Sequence, residues 1–317
     1  MGWPVSLQPI LVVYVLTIFH SSPKLIVDVD GRIIAILLGR PEDDDWDEVV
    51  ADAGCALERA RCAGHRVGTF RAKDTEHRRG RFAVLTTGVS FGGGQQCPGN
   101  LVNGSKRQKI IDQILQNKSL CRLAGFQSSG MARYAPKLWR YYVDTLSAIF
   151  EHHPGLPHLY SNSIFPAATF NLGPAVVADE HADIGNCVRG LCGLMSGGKF
   201  DHKNGGHLYL KQVKLVIDFP SGASALIPSA FVDHGNTPIQ SDENRFSFTQ
   251  YAAGGLFRWV KYGFRMAKSL LASVGGAELV ASFDGQPGSR WEWVMGLFSK
   301  HEELEKDRQT ALGSLYI

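Results

Sequence analysis

The chain is predicted to be an α+β protein, with a β-rich core over residues 161–265, flanking helices and a mixed extension before the core. Three observations predict this. From Phe165 onward, short strand-like runs recur between Gly, Pro and Asn turns, the texture of an all-β sandwich or barrel. Upstream, residues 41–60, 105–117 and 135–152 show helical spacing instead. After Tyr251 the pattern turns helical again. The division that results is an apolar segment (1–23), an α/β extension packing on the core (24–160), the core (161–265) and a helical tail (266–317).

Ile10 to Phe19 is an apolar run too short to span a bilayer comfortably, and no Lys or Arg precedes Lys24 to form the basic region of a secretory signal. A buried strand, a mis-assigned start and a signal stay open for it; no membrane partner is expected. Leu25 to Leu38 reads as a hairpin, two β-branched runs about an Asp30-Gly31 turn. Asp43 to Asp45 place negative charge at the start of a helix running through Trp46, Val49, Val50 and Ala53 toward Ala60. A basic stretch follows over 59–81: Arg59, Arg61, Arg66, Arg71, Lys73, Arg78, Arg79 and Arg81.

Phe82 to Ser90 is a strand closed by Gly92-Gly93-Gly94, which lacks the Lys-Ser/Thr ending of a phosphate-binding P-loop. In 135–152 the stripe Leu138, Tyr141, Tyr142, Leu146 and Ile149 is a core face. The strands expected in the core are 165–171, 187–194, 207–218, 223–228 and 244–251, with a turn at Pro220-Ser221-Gly222. Residues 255–268 are expected to be helical, and charge gathers at 301–308.

With 317 residues and 44% hydrophobic composition there is chain enough for a full core. A net charge of +3 argues against a whole-surface nucleic-acid binder but leaves room for a local basic patch. Six scattered cysteines with no C-x-x-C pair exclude a zinc knuckle and a dense disulfide framework. Free thiols point to a reducing, intracellular setting, nucleus or cytoplasm, in which the sequons at Asn103 and Asn117 carry no meaning. The sequence sets no oligomeric state.

The residues that carry chemistry are His181-Ala182-Asp183, His234 and then Arg245-Phe246-Ser247. In an extended segment, His181 and Asp183 point to one side and can reach one ion, while His234 comes from a distant strand. Two imidazoles and one carboxylate can take one face of iron(II) and leave the other open for a cosubstrate and O2. Arg245 and Ser247 share a strand face, and a guanidinium fork suits the distal carboxylate of 2-oxoglutarate. An H-x-D alone is weak; the ordered set is specific. No rival arrangement matches it. His202 and His207 enter a strand without thiolates, His152-His153 ends a helix, and Asp179, Glu180 and Asp233 are outer groups or simply exposed.

At these residues the chain resembles Fe(II)/2-oxoglutarate-dependent oxygenases with a double-stranded β-helix (jelly-roll, cupin-like) core. Residues 165–173, the H-A-D, 205–208, 219–222, 227–229, 245–254 and 256–259 are together similar to the expanded fungal TET/JBP-like group. The likeness spans 24–265 and is strongest from 160 to 262. It implies that His181, Asp183 and His234 are the iron ligands, that Arg245 anchors 2-oxoglutarate, and that Ser247 assists it. Asn171 is expected either to bond the cosubstrate or to cap a buried turn.

The implied reaction turns 2-oxoglutarate and O2 into succinate and CO2 and hydroxylates a substrate C–H. The implied substrate is 5-methylcytosine or another modified base in DNA or RNA, flipped into the pocket while cations hold the phosphates. The 59–81 stretch is the candidate cationic surface; its alternative is a solvated face, since Glu58, Asp74 and Glu76 are interspersed. No cysteine-rich DNA-reading module accompanies the core. Two other readings stand beside it: a protein or small-molecule hydroxylase on the same core, and a catalytically inactive binding relative, which has no chemical need for the complete residue set.

Overall fold

The computed structural model describes residues 14–17, 23–70, 75–284 and 289–313. Its strands are β1 (Tyr14–Thr17), β2 (Lys24–Val27), β3 (Ile33–Gly39), β4 (Glu76–His77), β5 (Gly80–Arg81), β6 (Ala83–Ser90) and β7 (Gly99–Asn100). Then follow β8 (Ala167–Leu172), β9 (Cys192–Lys199), β10 (Leu208–Leu210), β11 (Leu215–Asp218), β12 (Ser224–Ile227), β13 (His234–Asn236) and β14 (Asn244–Tyr251). The helices are α1 (Trp46–Arg66), α2 (Ser105–Leu115), α3 (Lys118–Tyr134), α4 (Pro136–His152) and α5 (Gly254–Lys261). Short helices α6 (Ala267–Leu271), α7 (Gly276–Asp284), α8 (Ser289–Gly296) and α9 (Leu304–Leu312) form the tail.

Eight strands make an antiparallel sheet in the order β2-β3-β12-β9-β14-β8-β6-β7, and β1-β11-β10-β13 make a second, smaller one. Side-chain alternation decides what each face does. On β3 and β12, Ala35, Leu37, Ala225 and Ile227 meet Leu208, Leu210 and Ile217 of the small sheet across a buried apolar layer. The alternate residues Ile36, Leu38 and Leu226 face α3, α4 and α5. On β14, Phe246 and Phe248 join Phe170 and Met195 under α1, α2 and α3, which leaves Arg245, Ser247 and Thr249 on the side of the small sheet. Phe170 and Phe248 stack at 5.4 Å, and Trp46 at the start of α1 donates to the Gly222 carbonyl at 3.0 Å.

Most expected elements form, including the hairpin about Asp30-Gly31. Several boundaries move for identifiable reasons. Helix α1 runs on from Ala60 to Arg66. Helix α3 was not expected, because Gly125, Ser128, Ser129 and Gly130 are poor helix formers. Close packing explains them: a Cβ at Gly130 would lie 2.5 Å from Leu38 Cδ1, and one at Gly125 would lie 2.4 Å from Asn162 Nδ2. The strand expected at 187–194 is instead β9, because it continues through Gly197, where a Cβ would lie 2.2 Å from the Phe246 ring. The run 207–218 breaks into β10 and β11 at a turn whose Lys214 has φ 55°, and the helix expected to reach 268 stops at Lys261.

The 24–160 stretch does more than pack on the core, since β2, β3, β6 and β7 are strands of the large sheet itself. The tail is tied back: His301 N–H donates to Gly31 O and Ile33 N–H to Ser299 O, both at 2.9 Å. Of the apolar run 10–19, Tyr14–Thr17 form β1, parallel to β11, and the rest lies outside the described residues. Among the described residues no helix is long and apolar enough to cross a membrane.

The two-layer arrangement predicts where truncation costs most. Phe248→Ala, at a fully buried position, should lower the unfolding free energy by about 3–5 kcal/mol in urea denaturation. Val29→Ala, fully exposed in the hairpin turn, should change it by no more than about 0.5 kcal/mol.

Candidate active site

His181 and His234 pair through the backbone, each N–H donating to the other's carbonyl at 3.0 and 2.9 Å. This joins the segment before β9 to β13 of the small sheet. His181-Ala182-Asp183 is the extended segment expected and not a ladder strand: the bridge is isolated, and Asp183 N–H turns to Ser229 O at 2.8 Å. The consequence for the side chains is the one the spacing required.

Each imidazole is oriented by a carbonyl two residues earlier. His181 Nδ1 lies 2.7 Å from Asp179 O, and His234 Nδ1 lies 2.9 Å from Val232 O. A carbonyl can only accept, so both protons sit on Nδ1 and both Nε2 lone pairs are left over. Those Nε2 atoms lie 3.7 and 3.8 Å from the two carboxylate oxygens of Asp183. The three donor atoms fall within 4.8 Å of one another, a separation one metal ion can bridge. Burial, and then the neighbouring His234 ring, lower the His181 pKa and favour the neutral imidazole that a metal needs.

Arg245 is held from behind. Its N–H donates to Pro174 O at 2.6 Å and its carbonyl accepts from Val176 N–H at 3.1 Å. The guanidinium is buried, with Nη1 donating to Val176 O at 3.1 Å and Asn236 Oδ1 at 3.3 Å, while Nε has no partner. Among the described residues no carboxylate pairs with it, and burial alone pulls its pKa down to about 10. It remains a cation at neutral pH. Ser247 sits in register with Asn171 on β8, and Asn171 Nδ2 donates to its hydroxyl at 2.8 Å, leaving Asn171 Oδ1 without a partner.

All six expected residues thus line one cleft between the sheets, walled by Leu194, Met195, Leu208 and Phe219. The basic stretch is not brought together. Arg59 and Arg66 are exposed on α1, across the large sheet from the cleft, and Arg61 is occupied by Glu58 at 2.6 Å. Arg71 and Lys73 lie outside the described residues. Only the 78–81 end reaches the cleft, where Arg79 is part of the wall. The other histidines have separate occupations: His202 pairs with Asp218, His152 stacks on Phe264, and His153 accepts from Trp259 Nε1 at 3.2 Å.

Asn236 was missed by the sequence reading. It accepts from Ala178 N–H at 2.8 Å and from Arg245, and donates to Val176 O at 3.2 Å and Thr237 O at 2.9 Å. It therefore ties the cation to the segment that leads into His181. Its signal was present, since it lies two residues after His234 and so on the same strand face. Asn236→Ala should strand those buried groups and cost about 1–3 kcal/mol in urea unfolding. It should also weaken Co(II) binding measured by visible absorption; unchanged stability and affinity would mean that residues 176–178 are held without it.

No protein-family profile matches the chain. No curated protein matches it either. Solved structures do. NgTET1 in complex with 5mC DNA is similar over 77% of this chain and 83% of that one, at 14% identity and a TM-score of 0.42. AviO1 from Streptomyces viridochromogenes Tue57 is similar over 70% and 90%, at 15% identity and a TM-score of 0.34. An oxidoreductase of the 2OG-Fe(II) oxygenase family from Burkholderia pseudomallei is similar over 59% and 77%, at 16% identity and a TM-score of 0.29.

Proposed function

We propose that this protein is an Fe(II)- and 2-oxoglutarate-dependent oxygenase with a double-stranded β-helix core. Its proposed reaction is hydroxylation of a substrate C–H, with 5-methylcytosine or another modified base in nucleic acid as the substrate. The observation that carries the reading is the buried guanidinium of Arg245, which no carboxylate among the described residues pairs, in the same cleft as two imidazoles and a carboxylate arranged around one point. A buried cation with an unpartnered Nε–H is costly unless an anion joins it. A dicarboxylate reaching from the metal set to Arg245 meets that need.

The donor set fits iron(II). His181 and His234 offer neutral Nε2 atoms, Asp183 offers the carboxylate, and both imidazoles are kept in that tautomer by Asp179 and Val232 carbonyls. Bound iron supplies the activation of O2 that hydroxylation requires. Arg245 holds the distal carboxylate of 2-oxoglutarate, with Ser247 beside it on the strand and Asn171 orienting the Ser247 hydroxyl. Leu194, Met195, Leu208 and Phe219 exclude water from this inner end, which strengthens the ion pair that Arg245 makes. The two facing sheets, with the histidines on a connection between them, support the jelly-roll assignment.

His181→Ala should abolish iron-dependent succinate formation while the cooperative unfolding transition persists; undiminished turnover would remove this site. Arg245→Ala should raise the KM for 2-oxoglutarate by about 100-fold or more, from the ~3 kcal/mol lost with a buried ion pair, with little change in metal affinity. Nucleoside mass spectrometry after incubation with Fe(II), 2-oxoglutarate and 5-methylcytosine-containing DNA tests the substrate, with His181→Ala as the control. Cosubstrate-dependent 5-hydroxymethylcytosine supports base oxidation. Succinate without an oxidised base moves the search to protein or small-molecule substrates on the same core.

A further inference from the structure

The hairpin formed by β4 and β5 is bound directly to the segment that carries the metal set. Asp179 N–H donates to Arg79 O at 2.8 Å, and Arg78 Nη1 donates to Ala182 O at 3.2 Å. Gly80 permits this approach, since a Cβ there would lie 2.4 Å from Val177 O, and its φ of +137° is one that side-chain-bearing residues rarely adopt. The hairpin turn is thereby fixed at the mouth of the cleft, where Arg79 is half-buried beside His181 and Asp183.

Arg79 has no task within the described structure. No carboxylate there pairs with it, whereas Arg32, Arg40, Arg61, Arg122 and Arg308 each have one. It lines the cleft together with His181, Asp183 and Thr249 and is half-buried there. Arg245 already accounts for the cosubstrate's distal carboxylate, and a second cation in the cleft is left over. Arg78 and Arg81 flank it; Arg78 also holds the Ala182 carbonyl, and Arg81 is 87% exposed with its Nε 3.9 Å from Glu76 Oε1 across the hairpin. Three arginines within four residues suit a row of phosphates better than one isolated carboxylate.

We propose that Arg79 holds a phosphate of a nucleic-acid strand at the mouth of the cleft, so that the site takes bases within strands and not free nucleosides. The proposal rests on the base-oxidation reading for the identity of the strand as substrate. It also corrects the size of the cationic surface, which contracts from 59–81 to the 78–81 hairpin.

The test measures anisotropy of a fluorescein-labelled single-stranded oligonucleotide containing 5-methylcytosine, titrated with the full chain at several salt concentrations. Arg79→Gln should weaken binding by about tenfold and lower the slope of log affinity against log salt by about 1. Arg79→Lys should keep the slope, and Arg59→Gln, on the opposite face, should match the wild type in both quantities. In competition, 5-methyl-2′-deoxycytidine 5′-monophosphate should displace the strand better than the uncharged nucleoside, with that preference lost in Arg79→Gln.

The proposal is overturned by a wild type that does not bind the strand, by equal competition from nucleoside and monophosphate, or by Arg79→Gln binding with an unchanged salt slope. A raised KM for 2-oxoglutarate with strand binding intact would assign Arg79 to the cosubstrate instead, and so also overturn it. The two readings separate cleanly. Arg79-dependent strand binding without any oxidised base removes base oxidation and leaves the phosphate contact standing. Oxidised base with strand binding indifferent to Arg79 does the reverse.

Discussion

The reciprocal backbone pair between His181 and His234 is the contact on which the rest of the site depends. Two peptide groups of residues far apart in sequence close on each other at 3.0 and 2.9 Å, and both side chains are metal-donor candidates. Each ring is then turned by a carbonyl two residues upstream in its own segment. Orientation therefore comes from main-chain geometry, which has few alternative states, and not from flexible side chains. Asp183 completes the set because its own N–H is held by Ser229 O, on the approach to β13.

Around that pair the protein leaves polar groups buried and incompletely satisfied. Arg245 Nε and Asn171 Oδ1 have no hydrogen-bond partner among the described residues, and both residues lie in the cleft with the donor set. Six other buried side-chain atoms also lack a hydrogen-bond partner among the described residues, Gln127 Nε2 and Ser224 Oγ among them; what sets these two apart is their place in the same cleft as the metal-donor candidates, Arg245 and Asn171 both lining it. Asn236 is the member that makes the cluster rigid, since it bridges Arg245 to the segment leading into His181.

The N-terminal half contributes more to the cleft than sheet strands. Its β4–β5 hairpin is strapped to residues 179 and 182 and presents arginines at the mouth. In the proposed reading, Arg245, which is buried, takes a carboxylate within the cleft, and Arg79, which is half-buried, takes a phosphate at its edge. A small dicarboxylate at depth and a phosphate chain at the rim place different demands on their partners. The first requires exclusion of water, and the second requires charge at an accessible edge.

What the sequence determined by itself is the side-chain chemistry and its order: H-x-D, a later histidine, then Arg and Ser on one strand face. Those relations are local, fixed by the period of extended backbone, and they held on β14, where Arg245 and Ser247 face the cleft while Phe246 and Phe248 face the helices. The Asp30-Gly31 hairpin and helices α1, α2 and α4 were legible for the same reason, being encoded within a dozen or so residues. Tertiary structure alone decided the rest. Helix α3 forms against local propensity because Gly125 and Gly130 admit neighbours that a side chain would exclude. The strand at 187–194 moved to β9 because Gly197 accepts the Phe246 ring. The basic stretch was divided because α1 and the hairpin pack on opposite sides of one sheet, and sequence proximity does not record which face of a sheet a segment will cover.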